Sequence, residues 1–181
     1  MATYGKYYDA TAAGQVFVGS TAAAGTAFPI STGTAVTFGL WNTSPNKNAV
    51  LLTLDLGYTS GTIALGSLGI ANQFCGYALG TAAPLSAFTD GTAKNALLGG
   101  GTGSSMRFTP SGATLTAGGT AFKFIGKGIE SATAGLGVFD GHYDFDGGVI
   151  VSPGQLVFLA SSIAQTALFS ASLMWAEVPV G

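Results

Sequence analysis

The densest group of chemically active side chains lies between residues 140 and 146. Asp140, Asp144 and Asp146 share this stretch with His142, the only histidine of the chain. Carboxylates spaced along a turning, Gly-containing backbone are ligands that Ca²⁺ accepts. The spacing differs from that of an EF-hand loop, so further ligands would have to come from elsewhere. We predict a solvated acidic loop here, with a metal site on Asp140, Asp144 and Asp146 as the alternative.

Catalytic chemistry has few residues available. A Ser-His-Asp arrangement would depend on His142 alone, and no Gly-x-Ser-x-Gly elbow surrounds any serine. The glycine clusters at 99–103 and 126–128 match neither the dinucleotide-binding spacing nor the P-loop. A glycosidase would need two facing carboxylates from only eight acidic residues. The sequence predicts a protein without enzymatic activity or cofactor, with a metal-assisted enzyme using the 140–146 loop as a remaining alternative.

Tyrosines cluster at the start of the chain. Tyr4, Tyr7 and Tyr8 surround Lys6 within residues 1–13, where no strand pattern is present. Such terminal segments stay loose until they dock on something. We predict an arm whose tyrosines contact a neighbouring molecule, with simple disorder as the alternative.

The other notable side chains are predicted to serve packing. Trp41 and Trp175 fall in or at the end of apolar runs, so the core is their expected place, although Trp41-Asn42-Thr43 is also compatible with a sugar platform. Cys75 is the only cysteine and can form no internal disulfide. We expect it to act as a small buried hydrophobe.

Charge is scarce throughout the chain. Only 8% of the 181 residues are charged, against roughly 25% in average soluble proteins, and the net charge is −2. The six basic residues are scattered, which argues against binding of nucleic acid. The opening residues lack the basic start and apolar run of a secretory signal, so we expect synthesis in a cytoplasm. The charge-free stretch 155–176 contains many polar residues, and we predict strands there rather than a membrane span.

Hydrophobic alternation places these residues on strands. One pattern puts Val50, Leu52, Leu54, Leu56 and Tyr58 on a shared face, and another does the same for Phe169, Ala171, Leu173 and Trp175. Ser152-Pro153-Gly154 predicts a hairpin turn between 147–151 and 155–160. Further strands are predicted at 14–19, 35–41, 63–74, 105–109, 113–117 and 120–125, whereas 84–98 predicts a short helix or a loop.

These elements define the fold class. About ten short strands punctuated by turn residues predict an all-β protein, an antiparallel β-sandwich of jelly-roll type. We assign residues 1–13 to the arm and residues 14–181 to a single sandwich domain.

Three segments carry a resemblance to a known class of proteins. They are the strand and Asn-rich turn at 40–52, the Val-Ser-Pro-Gly-Gln segment at 151–155 and the closing Trp-x-Glu strand at 173–180. Together they resemble small β-sandwich structural proteins of tailed bacteriophage virions, of the head decoration or cement type. The resemblance implies a non-enzymatic virion protein, made in the host cytoplasm, that binds over junctions between subunits of the major capsid protein. It also implies self-association, with a homotrimer favoured, and no nucleic-acid or membrane partner. The alternative is a receptor- or carbohydrate-binding sandwich of a fibre or tail.

Overall fold

The computed structural model describes residues 5–61, 70–78, 87–128, 140–162 and 166–181. Within these ranges the chain forms one short helix and thirteen strands. The elements are α1 (Tyr8–Ala12), β1 (Val16–Ser20), β2 (Ala35–Val36), β3 (Gly39–Trp41), β4 (Lys47–Ser60), β5 (Ile70–Ala78), β6 (Ala87–Phe88), β7 (Lys94–Asn95), β8 (Arg107–Thr109), β9 (Ala113–Thr114), β10 (Thr120–Gly128), β11 (Asp140–Val151), β12 (Gln155–Ser161) and β13 (Leu168–Pro179).

The strands form two five-stranded antiparallel sheets and one small three-stranded sheet. The first sheet has the order β11-β4-β13-β1-β7, the second β10-β5-β12-β3-β8, and the small one β2-β9-β6. If β1, β3, β4, β5, β10, β11, β12 and β13 are counted as strands one to eight, the large sheets read 6-3-8-1 and 5-4-7-2. This order is that of a jelly roll, two Greek keys closed into a double sheet. The predicted antiparallel, jelly-roll-like sandwich is therefore confirmed, with β6 to β9 inserted between its fourth and fifth strands.

The core lies between the two large sheets. Both sheets contribute to one cluster of buried side chains, and Trp175 at its centre stacks at 6.2 Å on the rings of Phe17 and Phe108. The alternation predicted for β13 is confirmed, because its core-facing residues are all buried: Phe169, Ala171, Leu173 and Trp175. Trp41 and Trp175 are 3% and 0% exposed, so both pack in the interior as predicted.

The alternation predicted for β4 is only half correct. Leu54 and Leu56 lie in the main core, but Val50 and Leu52 belong to a separate cluster on the opposite face. Pairing between β4 and β13 skips Leu52, which is therefore the extra residue of a β-bulge. A bulge inserts one extra residue into the strand, so the residues that face the core change from one alternating set to the other at that point. The prediction of an uninterrupted alternation was therefore wrong.

The predicted turn at 152–154 exists, but the hairpin does not. The Gln155 N–H donates to the Ser152 carbonyl at 3.0 Å, and Gly154 has a φ of 80°. However, β11 pairs with β4 whereas β12 pairs with β3 and β5, so the turn crosses between the sheets. Asn42 fastens this corner, because its Nδ2 donates to the Val151 carbonyl and its backbone N–H to the Gln155 carbonyl. Local turn chemistry does not reveal which sheet the next strand joins.

The remaining predicted strands are found with shifted bounds. The run 35–41 breaks into β2 and β3, and the first part of 63–74 lies outside the described residues. Of the segment 84–98, the described part contains β6, β7 and irregular chain instead of a helix. Cys75 lies on β5, and its side chain falls outside the description. Residues 155–176 supply β12 and most of β13, and no helix in the described ranges has the length and apolar character to cross a membrane.

Candidate functional site

An acidic turn interrupts β11. Its pairing with β4 jumps from Asp144 to Val149, so the residues between them leave the ladder. Asp146 and Gly147 adopt positive φ values of 50° and 74°, and the Asp146 N–H donates to Asp144 Oδ1 at 2.8 Å. Phe145 points the other way and is buried in the main core. The turn therefore directs the carboxylates of Asp144 and Asp146 outward, while the buried ring of Phe145 fixes the turn to the core.

The N-terminal arm binds this acidic turn. Lys6 Nζ lies 2.7 Å from Asp144 Oδ2 and 2.8 Å from Asp146 Oδ1. The Tyr7 hydroxyl donates to Asp144 Oδ1 at 2.7 Å. We call these four residues, Lys6, Tyr7, Asp144 and Asp146, the arm clasp. The prediction of a loop at 140–146 is only partly correct, because Asp140 to Asp144 pair with β4 and only the residues after Asp144 form a turn. The arm and this turn, predicted as separate features, thus form one site.

A small apolar cluster lies beside the clasp on the outer face of the first sheet. Val16, Leu52 and Ala176 are buried there, and Tyr7 and Ala10 of the arm pack against them. We call Val16, Leu52 and Ala176 the outer patch. Helix α1 has no buried residue of its own. The arm therefore covers apolar surface without being enclosed by the body.

The contacts within the clasp shift the pKa values of its residues. Lys6, Tyr7 and the Asp146 N–H stabilise the ionised carboxylate and lower the pKa of Asp144 to about 2. The same carboxylates raise the pKa of Lys6 above its ordinary value. Partial burial and then the bond to Asp144 raise the pKa of Tyr7. At neutral pH an ammonium group therefore faces an ionised Asp144.

No geometry here supports the alternative metal site. Among the residues that the structure describes, no group of three or more His, Cys, Asp or Glu side chains is arranged to hold a metal ion. Asp144 and Asp146 both engage Lys6, and the Asp140 side chain lies outside the description. The metal site on Asp140, Asp144 and Asp146 therefore stays the untested alternative.

The three arm tyrosines differ in what the structure assigns to them. Tyr4 lies outside the described residues, Tyr7 belongs to the clasp, and Tyr8 is 47% exposed. The sequence reasoning missed Lys6 as the link. One signal was available: Lys6 is the first basic residue and none follows before Lys47, whereas three of the eight acids fall within 140–146.

A shallow groove lies elsewhere on the outer face of the first sheet. Its volume is about 340 Å³, and its lining residues are Ser20, Thr21, Ala22, Ala23, Asp55, Leu56, Gly57, Ser170, Ala171 and Ser172. Strand register aligns His142, Asp55, Ser172 and Ser20 across four strands. His142 Nδ1 lies 2.6 Å from Asp55 Oδ1, and this bond raises the pKa of His142. The groove thus offers hydroxyls and one carboxylate to a ligand.

Two further ion pairs fasten segments of the body. The Glu177 carboxylate, whose side chain is 1% exposed, accepts from Ser104 Oγ at 2.6 Å and the Ser105 N–H at 2.9 Å, with Lys47 Nζ at 3.3 Å. This group ties the loop before β8 to β13.

The second pair lies on the other large sheet. Arg107 binds Asp90 through two hydrogen bonds of 2.8 Å, and its guanidinium lies over the rings of Trp41 and Phe88. The contacts join the inserted strands to the sandwich, and the bonds to Asp90 raise the pKa of Arg107. Both pairs are structural.

Comparison with protein-family models, with curated proteins and with solved structures gave no match for this chain. Any functional assignment therefore depends on its own residues and fold.

Proposed function

We propose that this chain is a non-enzymatic virion structural protein, a capsid decoration or cement protein that binds over junctions between subunits of the major capsid protein. The observation that carries the proposal is the jelly-roll strand order in a chain with only 8% charged residues. Jelly rolls build viral capsid domains and lectin domains. Fold is an analogy and not a site, so the surface has to supply the second argument.

The surface is even more neutral than the composition indicates. Lys6, Lys47 and Arg107 all form ion pairs within the chain, and the paired carboxylates offset much of their charge. Large apolar side chains stand in solvent, above all Leu98 at 92% exposed and Ile150 at 57%. Protein interfaces are depleted in charge, and a neutral surface gives a free monomer little protection against association. These features support a surface that neighbours cover: copies of the chain itself, as a homotrimer, and the major capsid protein.

The second candidate is a receptor- or carbohydrate-binding sandwich of a fibre or tail. The observation that favours it is the groove beside Asp55, because hydroxyls and a carboxylate are groups that bind sugar hydroxyls. Its weakness is that both tryptophans, Trp41 and Trp175, are buried and offer no stacking platform to a sugar.

Copy-number mass spectrometry of purified particles separates the two candidates. A copy number comparable to that of the major capsid protein supports the hypothesis of a decoration protein. A handful of copies supports the hypothesis of a fibre or tail protein. Absence from particles would overturn both. A glycan array probed with the purified protein provides the second measurement, and we expect no binding if the protein serves only as cement.

A further inference from the structure

We propose that the N-terminal arm exchanges between copies of this chain, so that Lys6 and Tyr7 of one copy bind Asp144 and Asp146 of another. The inference deepens the proposed function and rests on the self-association it contains. It names the segment through which two copies are joined and the surface that receives it.

The receiving surface is built into the sandwich. The acidic turn of β11 is anchored by Phe145 in the core, and the Asp146 N–H already orients Asp144. Two adjacent carboxylates without a cation repel each other, so a basic partner is favourable at this turn. The outer patch beside it needs an apolar cover. Both requirements are met by residues 5–13 and do not depend on which copy supplies them.

The contacts that hold the arm are exposed to solvent. In the two ion pairs of the clasp the side chains are 45% exposed for Lys6, 39% for Asp144 and 77% for Asp146. Exposed pairs contribute little to stability and are screened by salt. A five-residue helix does not persist by itself in water, and α1 buries none of its residues. The arm can therefore leave without unfolding the sandwich.

A short turn at Gly14 joins the arm to β1. Gly14 has a φ of 70° and ends α1 in a Schellman motif, in which the Gln15 N–H donates to the Ala10 carbonyl and the Gly14 N–H to that of Thr11. On the body side, Asn95 Nδ2 donates to the Gly14 carbonyl at 2.8 Å. Rotation at Ala13 and Gly14 redirects the arm while β1, which begins at Val16, stays paired with β13.

Because all copies have the same sequence, the arm of a second copy fits the acidic turn and the outer patch. The arm of a second copy presents the same lysine, tyrosine and alanine to the same turn and patch, so each exchanged contact replaces a lost one. Exchange of identical segments is an inexpensive route to oligomers. Side-by-side placement on a shell raises the effective concentration of the neighbouring arm and shifts the equilibrium towards exchange.

Zero-length cross-linking of isotope-mixed protein tests this exchange. Unlabelled and ¹⁵N-labelled chains are mixed before assembly, and a carbodiimide then joins contacting amines and carboxylates as amides. We expect Lys6–Asp144 or Lys6–Asp146 linked peptides that combine one light and one heavy chain, in the statistical proportion. Lys6→Arg is the matched control, because it keeps the charge of the clasp but forms no such amide.

The oligomeric state and the presence on particles are measured in the same samples. Light–light and heavy–heavy links alone, in protein that is oligomeric or bound to particles, would overturn the exchange and leave the proposed function standing. A protein that is monomeric at high concentration and absent from particles would instead overturn the proposed function.

Charge reversal gives a second, independent measurement. Lys6→Glu chains and Asp144→Lys/Asp146→Lys chains cannot form the clasp within themselves, but a mixture restores it between unlike copies. We expect mixed oligomers, detected by native mass spectrometry, to exceed those formed when Lys94→Glu chains replace Lys6→Glu chains. Equal amounts in the two mixtures, with all variants folded by circular dichroism, would contradict the exchange.

Discussion

Several charged residues of the described chain form ion pairs with one another. The pair of His142 and Asp55 is the simplest to test, because both side chains are more than half exposed and belong to adjacent strands. Its short bond favours the protonated imidazolium. Such an exposed pair contributes little to the stability of the fold, and its main effect is on the protonation of the histidine.

We predict that the pKa of His142 lies above its ordinary value of 6.5, with Asp55 as the main cause. NMR titration measures this directly, because His142 is the only histidine. Asp55→Asn should return the pKa towards 6.5, whereas Asp90→Asn, whose partner is Arg107, should leave it unchanged. Since the folded value is raised, the pair stabilises the fold fully below pH 6.5, and this contribution is lost as the pH rises through the folded pKa. An unchanged titration in Asp55→Asn would contradict the assignment.

The sequence shows which residues of a strand face the core for some strands but not for others. The alternation of β13 is visible because no residue interrupts its core-facing series. In β4 the same reasoning fails at Leu52, since every residue around the bulge is compatible with either face. The turn at 152–154 was recognisable from Pro and Gly, but the sheet that β12 joins depends on contacts with β3 and β5, which are distant in sequence. The clasp likewise joins residue 6 to residues 144 and 146, and only the fold brings them together.

The acidic turn of β11 depends on one glycine with positive φ. We predict that Gly147→Ala destabilises the protein by about 1–2 kcal/mol, because an L-residue is strained in the left-handed region. Gly103→Ala is the matched control, since an added Cβ there meets no atom within 4 Å and φ is ordinary. Urea unfolding measures both. Equal midpoints for the two variants would show that the turn tolerates a side chain.

At the scale of the whole molecule, the two ends of the chain complete the first sheet together. Strand β13 lies between β1 and β4, so the first sheet is complete only when β13 has paired with both neighbours. Pairings over such long sequence separations make folding slow. Because β13 joins β1 to β4, we expect the sandwich to fold as one cooperative unit.

We predict that removal of residues 167–181 abolishes cooperative unfolding, because β13 supplies Trp175 and three further residues of the main core as well as two ladders of hydrogen bonds. Thermal melts followed by circular dichroism measure the effect. Removal of only Val180 and Gly181, both exposed, should preserve the transition. A cooperative melt in the longer truncation would mean that the remaining strands fold without their centre.

Trp175 gives the molecule an internal optical reporter. It is fully buried between Phe17 and Phe108, and among the described residues its indole N–H has no hydrogen-bond partner. An indole in such dry, unpaired surroundings emits at short wavelength, and water reaching it shifts the emission to the red. Trp41 is the only other tryptophan and lies on the second sheet beneath Arg107. Replacing either one with phenylalanine would let fluorescence follow the main core and the second cluster around Trp41 separately.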